Sequence, residues 1–241
     1  MRKEIFEKIL DFLFPRFCVG CGKEGGFVCE ECLNKIREEE LRCPYCGKVN
    51  FSGEFCGPHK RHSSIKGLIF YTFFDKKDDS KIIPKILYGF KYEGLRGLGE
   101  ILALYMSKKL QKHFLFKKKD KIIIVPLPLF FFKKLKRGFN QTEILSKYIA
   151  SRLGLKNKKI IFKVKNTKPQ VFLSKEERKI NVKNAFVLNP KIEPSEIKDK
   201  IIILIDDVYT TGSTLNSAAR EIKRLRPSEI WGLVFAKEEK R

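Results

Sequence analysis

Residues 201–215 read IIILIDDVYTTGSTL, and this stretch decides the fold. Ile201 to Ile205 form a continuous apolar run, which is typical of a strand buried on both faces of a parallel sheet. After a Thr/Gly/Ser loop, apolar residues recur at helical spacing from Leu215 to Leu225, and Ser213 or Thr214 is placed to cap that helix. The stretch therefore predicts a strand, a loop and a helix whose amino end meets the strand's carboxyl end.

The loop is suited to a phosphate group. A helix amino end offers free backbone N–H groups and the positive end of the helix dipole, and Gly212 lets the backbone approach a ligand. The hydroxyls of residues 210, 211, 213 and 214 can donate to phosphate oxygens. Asp206 and Asp207 would repel an anion, so their expected partner is a pair of hydroxyls or a divalent cation. A phosphate with vicinal hydroxyls a few ångströms away describes a 5-phosphoribosyl group.

The segment ILIDDVYTTGST, residues 203–214, resembles the phosphoribosyl-pyrophosphate (PRPP) motif of type I phosphoribosyltransferases. This resemblance implies that Asp206 and Asp207 hold the ribose hydroxyls. It implies that the following loop wraps the 5-phosphate, with binding residues Tyr209, Thr210, Thr211, Gly212, Ser213 and Thr214. The alternative is an ordinary strand-loop-helix turn, in which two strand acids without a ligand would carry a sizeable desolvation cost.

A second strand is predicted to reach the same edge of the sheet. A second buried strand is predicted from Lys121 to Val125, apolar after its first residue and ending in Pro126-Leu127-Pro128, and the segment FFFKKLKRGFNQTE follows as a basic loop and a helix start. Asn140 and Glu143 are placed as a capping box, and Phe130 to Phe132 are read as packing residues. Arg137 is the cation that we favour for a pyrophosphate. Lys91 is read as a solvated helix end, with a position facing a ligand as the alternative.

Cysteine spacing near the amino terminus predicts metal sites. Three C-x-x-C pairs are followed by Cys56-Gly-Pro-His59, and eight N/S ligands suffice for two tetrahedral zinc ions in a reducing compartment. The predicted ligands are Cys18, Cys21, Cys29, Cys32, Cys43, Cys46, Cys56 and His59. His62 is the alternative to His59, and an interleaved cross-brace is the alternative to the sequential pairing that we favour. Protein ligands fill every position, which indicates structural zinc.

Composition limits the class of protein. The 241 residues suffice for one full core and a small accessory module, and they carry a net charge of +23 from 51 Lys+Arg against 28 Asp+Glu. Such a surplus favours polyanionic partners, with solvated lysine faces as the alternative interpretation, since the lysines are spread along the chain.

The amino terminus predicts an amphipathic helix over residues 1–17. Charged residues interrupt its apolar positions, and no stretch approaches the ~18 apolar residues that a membrane-spanning helix needs. We therefore expect a cytosolic protein that does not span a membrane. This helix is expected to cover its own domain, with a membrane surface or a partner as the alternatives.

Five motifs and the cysteine pairs, taken in order, resemble the ComF family of competence-associated phosphoribosyltransferase-like proteins, which includes GntX. The motifs are YGFKYEG, VPLP, KRGFNQTE, TKPQVFLSKEERKINVKNAF and ILIDDVYTTGST. The resemblance implies an α/β fold of the type I phosphoribosyltransferase class, a mostly parallel sheet flanked by helices, preceded by a double zinc ribbon. It divides the chain into the helix 1–17, the ribbons 18–62 and a phosphoribosyltransferase-like domain 63–241. His59 departs from the family, which has a cysteine there.

The family resemblance implies a role in natural transformation, in which single-stranded DNA is handled at the cytosolic face of the membrane beside a DNA-uptake channel and a helicase-like ATPase. Asp206, Asp207 and Arg137 are then the candidate catalytic residues, and Mg²⁺ accompanies PRPP. Three functions remain open: a phosphoribosyltransferase with an unknown acceptor, a non-catalytic PRPP sensor or nucleic-acid adaptor, and a base-salvage transferase. The zinc ligands count against the third.

Overall fold

A five-stranded parallel sheet forms the centre of the computed structural model, which describes residues 15–75, 81–165 and 185–239. The strands are β1 Gly67–Phe74, β2 Ile122–Pro126, β3 Lys156–Asn157, β4 Ile161–Lys163, β5 Phe186–Leu188, β6 Ile201–Tyr209 and β7 Glu229–Glu238. The main sheet has the order β1-β7-β6-β2-β3, while β4 and β5 form a separate antiparallel pair. Ile201 to Ile205 are each at most 2% exposed, which confirms the predicted buried strand.

The helices cover both faces of the sheet. They are α1 Glu30–Leu33, α2 Ile82–Tyr92, α3 Leu98–Lys112, α4 Phe131–Arg137, α5 Gln141–Leu153, α6 Pro194–Ile197 and α7 Ser213–Ile222. The chain moves from β2 through α5 to β3 on one side of β6, and from β6 through α7 to β7 on the other. Because parallel crossovers are right-handed, α5 and α7 lie on opposite faces, and the direction of winding changes between β2 and β6. Ligands of open α/β sheets bind at such a switch point.

The zinc-ribbon segment packs against the edge strand β1. Leu68 donates its backbone N–H to the carbonyl of Gly53 at 2.9 Å, and Phe55 donates to Lys66 at 3.2 Å. Helix α3 also contacts the ribbon segment. Its Lys109 ammonium donates to the Glu38 carboxylate at 3.0 Å and to the Glu39 carbonyl at 2.6 Å. The ribbon thus covers a strand edge that would otherwise expose unpaired backbone groups.

The segment after β2 differs from its prediction. Residues 131–137 form the helix α4 instead of a loop, and Phe131 and Phe132 are 62% and 67% exposed. Phe130 and Phe131 each contact the Phe132 ring, with ring centres 5.7 and 5.8 Å apart, so these residues pack on one another at the surface and not in the core. Gly138 ends the helix in the left-handed conformation, with φ of 72°, which is a common way for a helix to stop.

Two predicted features lie outside the described residues. They are residues 1–14 of the amino-terminal helix and residues 167–184 of the motif TKPQVFLSKEERKINVKNAF. The domain boundaries at 17/18 and 62/63 stay a prediction. Among the residues that are described, no helix has the length and apolar character that crossing a bilayer requires.

Candidate functional site

The acid pair lies at the carboxyl end of β6, beside the switch point. Asp206 and Asp207 are residues six and seven of this nine-residue strand, and their carboxylates lie close enough to interact. Asp207 is only 6% exposed, and its backbone N–H donates to the Asp206 carboxylate at 2.9 Å. The strand therefore presents two carboxylates at the edge where a ligand is expected.

Lys91, in the last turn of α2, reaches this acid pair. Its ammonium lies 2.8 Å from the Asp207 carboxylate, and its side chain is 21% exposed. The Gln141 side chain donates to the Lys91 carbonyl at 3.4 Å, which ties the end of α2 to the start of α5. The interpretation of Lys91 as a solvated helix end is therefore wrong. Lys91 supplies the cation that a buried carboxylate requires.

The environment of Asp206 disfavours its charge. Burial and the neighbouring Asp207 carboxylate raise the pKa of Asp206 to about 7, and the Lys91 ammonium opposes this rise. Asp206 thus changes charge near neutral pH, whereas an isolated aspartate ionises near 3.9. A nearby divalent cation would favour the ionised form, so this carboxylate is suited to a metal-linked ligand.

The loop after β6 is built around Gly212. Gly212 has φ of 73°, and a Cβ atom there would lie 2.4 Å from the Tyr209 hydroxyl. Tyr209 is 5% exposed, and its ring lies against Gly212. The Thr211 hydroxyl donates to the Ser213 hydroxyl at 3.1 Å, which holds the loop closed. Glycine is required here both by the backbone conformation and by the tyrosine ring.

The predicted side-chain cap of the following helix is wrong. The helix α7 begins at Ser213, Gly212 occupies the cap position, and no side chain makes a capping bond there. The Ser213 backbone N–H donates to the Thr211 hydroxyl at 3.4 Å, and the following amides of the first turn are available to a ligand, as in helix amino ends that bind phosphate. Thr210 and Thr211 are exposed beside this turn, so their hydroxyls can reach the same ligand.

A buried polar network holds the end of β2 against the start of α5. The Asn140 amide donates to the Leu127 carbonyl at 3.3 Å, and its oxygen accepts the Thr142 backbone N–H at 3.2 Å. Asn140 is therefore the predicted helix cap. Glu143 bonds the Asn140 side chain at 3.4 Å, instead of the backbone N–H of the predicted capping box. This network fixes the turn 126–128 next to the acid pair.

Arg137 lies at the end of α4, on the same edge of the sheet. Its guanidinium stacks 5.0 Å from the centre of the Tyr92 ring and donates to the Tyr92 hydroxyl at 3.4 Å. A further bond of 3.2 Å reaches Gln141, the residue that also binds the end of α2. Arg137 therefore lies on the outer side of α2, near Lys91.

Lys163, at the end of β4, is not among the predicted site residues. Burial and the repulsion of Lys133 lower the pKa of Lys163, and the Asp206 carboxylate opposes this effect. Its ammonium also lies 5.5 Å from the centre of the Phe186 ring. No sequence motif marks Lys163, because its place beside Asp206 depends on how the antiparallel pair β4–β5 packs.

The eight predicted zinc ligands form two groups. In each group all four ligand atoms lie within 4.8 Å of one another, and the groups are Cys18, Cys21, Cys29, Cys32 and Cys43, Cys46, Cys56, His59. This is the sequential pairing that the spacing favoured. His59 faces its group through Nδ1, 2.9 Å from the Cys56 sulfur, whereas His62 stacks on Tyr45 outside the group.

Both groups fit a tetrahedral zinc ion. Zn–S bonds of about 2.3 Å place neighbouring sulfurs about 3.8 Å apart, and the Cys21–Cys29 and Cys46–Cys56 sulfur pairs lie 3.6 and 3.7 Å apart. Burial disfavours the Cys18 thiolate, but backbone N–H groups from Cys29, Cys21 and Gly20 outweigh it and lower the pKa of Cys18 to about 6. A zinc ion would hold each ribbon together, with no coordination position left for catalysis.

The second ribbon and the residues that directly follow it lie next to the loop from Tyr209 to Thr214. The Asn216 side chain, one turn into α7, accepts a bond from the Ser63 hydroxyl at 2.9 Å and one from the Ser64 backbone N–H at 2.6 Å. Burial raises the pKa of Tyr209 to about 12, and the Cys43 thiolate adds to this effect from the zinc group. The start of α7 and the Tyr209 ring therefore lie between the second zinc group and the loop.

Comparison of the sequence with known protein domains supports a zinc ribbon followed by a ligand-binding domain. Residues 9–59 match the double zinc ribbon domain, and residues 135–241 match the phosphoribosyl transferase domain. A purine phosphoribosyltransferase from Pyrococcus horikoshii aligns at 24% identity, covering 58% of this chain and 73% of that one with a TM-score of 0.36. The protein has a type I phosphoribosyltransferase fold preceded by a double zinc ribbon.

Relatives with similar sequences extend over nearly the whole chain. Competence protein F of Haemophilus influenzae is 30% identical over 230 residues, covering 92% of this chain and 86% of that protein. DNA utilization protein YhgH of Salmonella typhimurium is 28% identical over 82% of this chain and 84% of its own length. Competence protein ComFC of Bacillus subtilis is 28% identical, covering 80% of this chain and 76% of its own length. The chain belongs to the ComF family.

Proposed function

We propose that the protein binds PRPP with Mg²⁺ at the carboxyl ends of β6 and β2 and acts in DNA uptake on the cytosolic side of the membrane. The observation that carries the proposal is the continuous order of acid pair, glycine loop and uncapped helix start at the switch point of the sheet. The names of the relatives, which are competence and DNA utilization proteins, support the role in DNA uptake.

Each set of site residues is assigned to one portion of the ligand. The loop from Tyr209 to Thr214 and the first turn of α7 bind the 5-phosphate through backbone N–H groups and hydroxyls. Asp206 and Asp207 accept hydrogen bonds from the two ribose hydroxyls, and Lys91 must exchange its contact with Asp207 for one with an anionic ligand group. Arg137 and Lys163 are the cations that we assign to the pyrophosphate side. Bound Mg²⁺ would neutralise charge on the leaving pyrophosphate.

A calorimetric titration of PRPP with Mg²⁺ tests the binding site. We expect the native chain to bind and Asp206→Asn/Asp207→Asn to lose binding, because both hydroxyl acceptors lose their charge. Asp120→Asn/Asp199→Asn is the matched control, since it removes two carboxylates that are exposed on the surface. Equal affinity in the two double variants, or no binding at millimolar PRPP by the native chain, would contradict the proposed site.

A pyrophosphate-release assay with single-stranded DNA present distinguishes an enzyme from a PRPP sensor. In a transferase, pyrophosphate leaves C1 of the ribose through a cationic state that the carboxylates stabilise. We expect release that depends on Asp206. PRPP binding without release would assign the protein to the sensor or adaptor class instead, with the same binding site.

A further inference from the structure

The outer face of α2 carries two tyrosines whose side chains are largely exposed to solvent. Tyr88 and Tyr92 are 57% and 62% exposed, stand one helical turn apart, and have ring centres 5.1 Å from each other. Contiguous exposed apolar surface of this kind can mark an interaction site. Among the described residues, Arg137 is the cation that stacks on this pair, 5.0 Å from the Tyr92 ring.

The two tyrosines lie beside the proposed ligand site, on the side of α2 that faces away from it. Lys91 lies between the two tyrosines and the acid pair, because its ammonium contacts Asp207 while its neighbour Tyr92 points outward. Beyond Tyr88 an open groove of about 530 Å³ is lined by Val19, Pro84, Lys85, Tyr88 and Glu93. That volume lies within the range of about 300–1,000 Å³ for pockets that hold small ligand groups.

We propose that Tyr88 and Tyr92, with Arg137 stacked against the Tyr92 ring, form a stacking surface for single-stranded nucleic acid, along which bases lie on the exposed faces of the two rings. The inference rests on the proposed role in DNA uptake and identifies the surface that takes the strand. Stacking on exposed aromatic rings beside cations is how proteins bind single strands without reading their sequence. The net charge of +23 complements the phosphate backbone.

Two details favour a single strand over other partners. Bases in a duplex are stacked on each other, so their faces cannot lie on tyrosine rings. Glu93 lines the groove, and its carboxylate would repel a phosphate, while the Lys85 ammonium donates to the Gly20 carbonyl at 3.1 Å, which leaves the groove to an uncharged base. We define this surface, residues 88, 92 and 137 with the adjoining groove, as the tyrosine surface.

Fluorescence anisotropy with the full-length, zinc-loaded protein and labelled oligothymidylate of about twenty nucleotides tests the tyrosine surface. Tyr88→Ala should weaken binding by about fivefold to a hundredfold, as alanine substitution of a stacking residue does. Tyr88→Phe keeps the ring and should bind as the native chain does. Tyr148→Ala is the matched control, because Tyr148 is also a helical tyrosine, 41% exposed, that lies on α5.

The outcomes separate this inference from the proposed PRPP site. Tyr88→Ala should keep native PRPP affinity in calorimetry. If Tyr88→Ala and Tyr148→Ala bind the oligonucleotide equally, the tyrosine surface is overturned, whatever the PRPP result. No oligonucleotide binding by the native chain would overturn both the surface and the DNA role. Tyr88-dependent binding to anionic phosphatidylglycerol vesicles without oligonucleotide binding would assign the surface to the membrane and also overturn the inference.

Discussion

Lys91 and the two aspartates illustrate how the role of a single residue depends on the element that brings it into place. The sequence motif identifies Asp206 and Asp207 as ligands, because their position between a buried strand and a glycine loop is local. It cannot identify Lys91, which is 116 positions away from Asp207 in the chain. Lys91 reaches Asp207 only because the end of α2 is bonded to Gln141 at the start of α5.

The charge of Asp206 predicts how PRPP binding depends on pH. Because the pKa of Asp206 is raised to about 7, its carboxyl is protonated below that pH and must lose the proton to bind hydroxyls or Mg²⁺. Affinity for PRPP with Mg²⁺ should therefore fall as the pH decreases through 7, by up to about tenfold per pH unit. Calorimetric titrations across this range measure the effect.

Asp206→Asn is the control for this pH dependence. The groups that face Asp206 are Asp207 on β6, Lys91 on α2 and Lys163 on β4. The variant removes the titration of Asp206 and keeps that of the ligand's own 5-phosphate, so residual binding should depend less on pH. An unchanged pH profile in this variant would assign the titration to another group.

The Lys91–Asp207 ion pair predicts a measurable coupling. Lys91→Met leaves the buried Asp207 carboxylate without its cation, so the free energy of unfolding should decrease by about 2 kcal/mol. The double variant Lys91→Met/Asp207→Asn should lose less than the sum of the single changes. Urea denaturation without ligand measures all three, with Lys147→Met on the exposed face of α5 as control. Strictly additive losses would show that the two side chains do not interact.

At the scale of elements, continuous apolar runs predict where the central strands lie, but they predict the first and last residues of each element less accurately. β2 and β6 lie within one to four residues of their predicted bounds, because burial on both faces requires unbroken β-branched sequence. The sequence does not predict the helix α4, since Phe131, Phe132 and Leu135 are all more than 60% exposed and the segment therefore shows no apolar helical period. The pairing of β4 with β5 depends on tertiary contacts that are not local to either segment.

The loop between β6 and α7 predicts a strong effect of Gly212→Ala. A Cβ atom would impose left-handed strain of about 1–2 kcal/mol and would also collide with the Tyr209 ring. Both thermal stability and PRPP affinity should therefore decrease. Gly154→Ala is the control, because Gly154 has a similar φ of 66° with no atom within 4 Å of the added Cβ. Gly154→Ala should lower thermal stability through the backbone strain alone and should keep native PRPP affinity.

The whole molecule joins a metal-held ribbon to a ligand-binding sheet. The cysteine spacing predicts the zinc groups correctly, because each pair is a local turn. The sequence does not predict how the ribbon packs, since Ser63 and Ser64, which directly follow it, are bonded to Asn216 more than 150 positions away. This packing places the second zinc group beside the loop that we assign to the 5-phosphate.

The two ribbons predict different effects of losing zinc. Cys46→Ser and Cys21→Ser are the same change at exposed ligands of the second and first groups. Because the second group adjoins α7, Cys46→Ser should reduce PRPP affinity by about twofold to thirtyfold, the usual range of indirect coupling. Cys21→Ser should reduce it less. Calorimetry with zinc content measured in parallel tests this, and equal losses would show that ribbon packing does not support the loop.

The most direct test of the central claim is phosphorus-31 NMR of PRPP with Mg²⁺, in which the 5-phosphate and the pyrophosphate give separate resonances. We predict that the native chain shifts or broadens the 5-phosphate resonance, because the loop from Tyr209 to Thr214 binds that end of the ligand. Gly212→Ala should lose the change, while Gly154→Ala should keep it. A native chain that perturbs only the pyrophosphate resonances, or none at millimolar concentrations, would contradict the assignment of this loop.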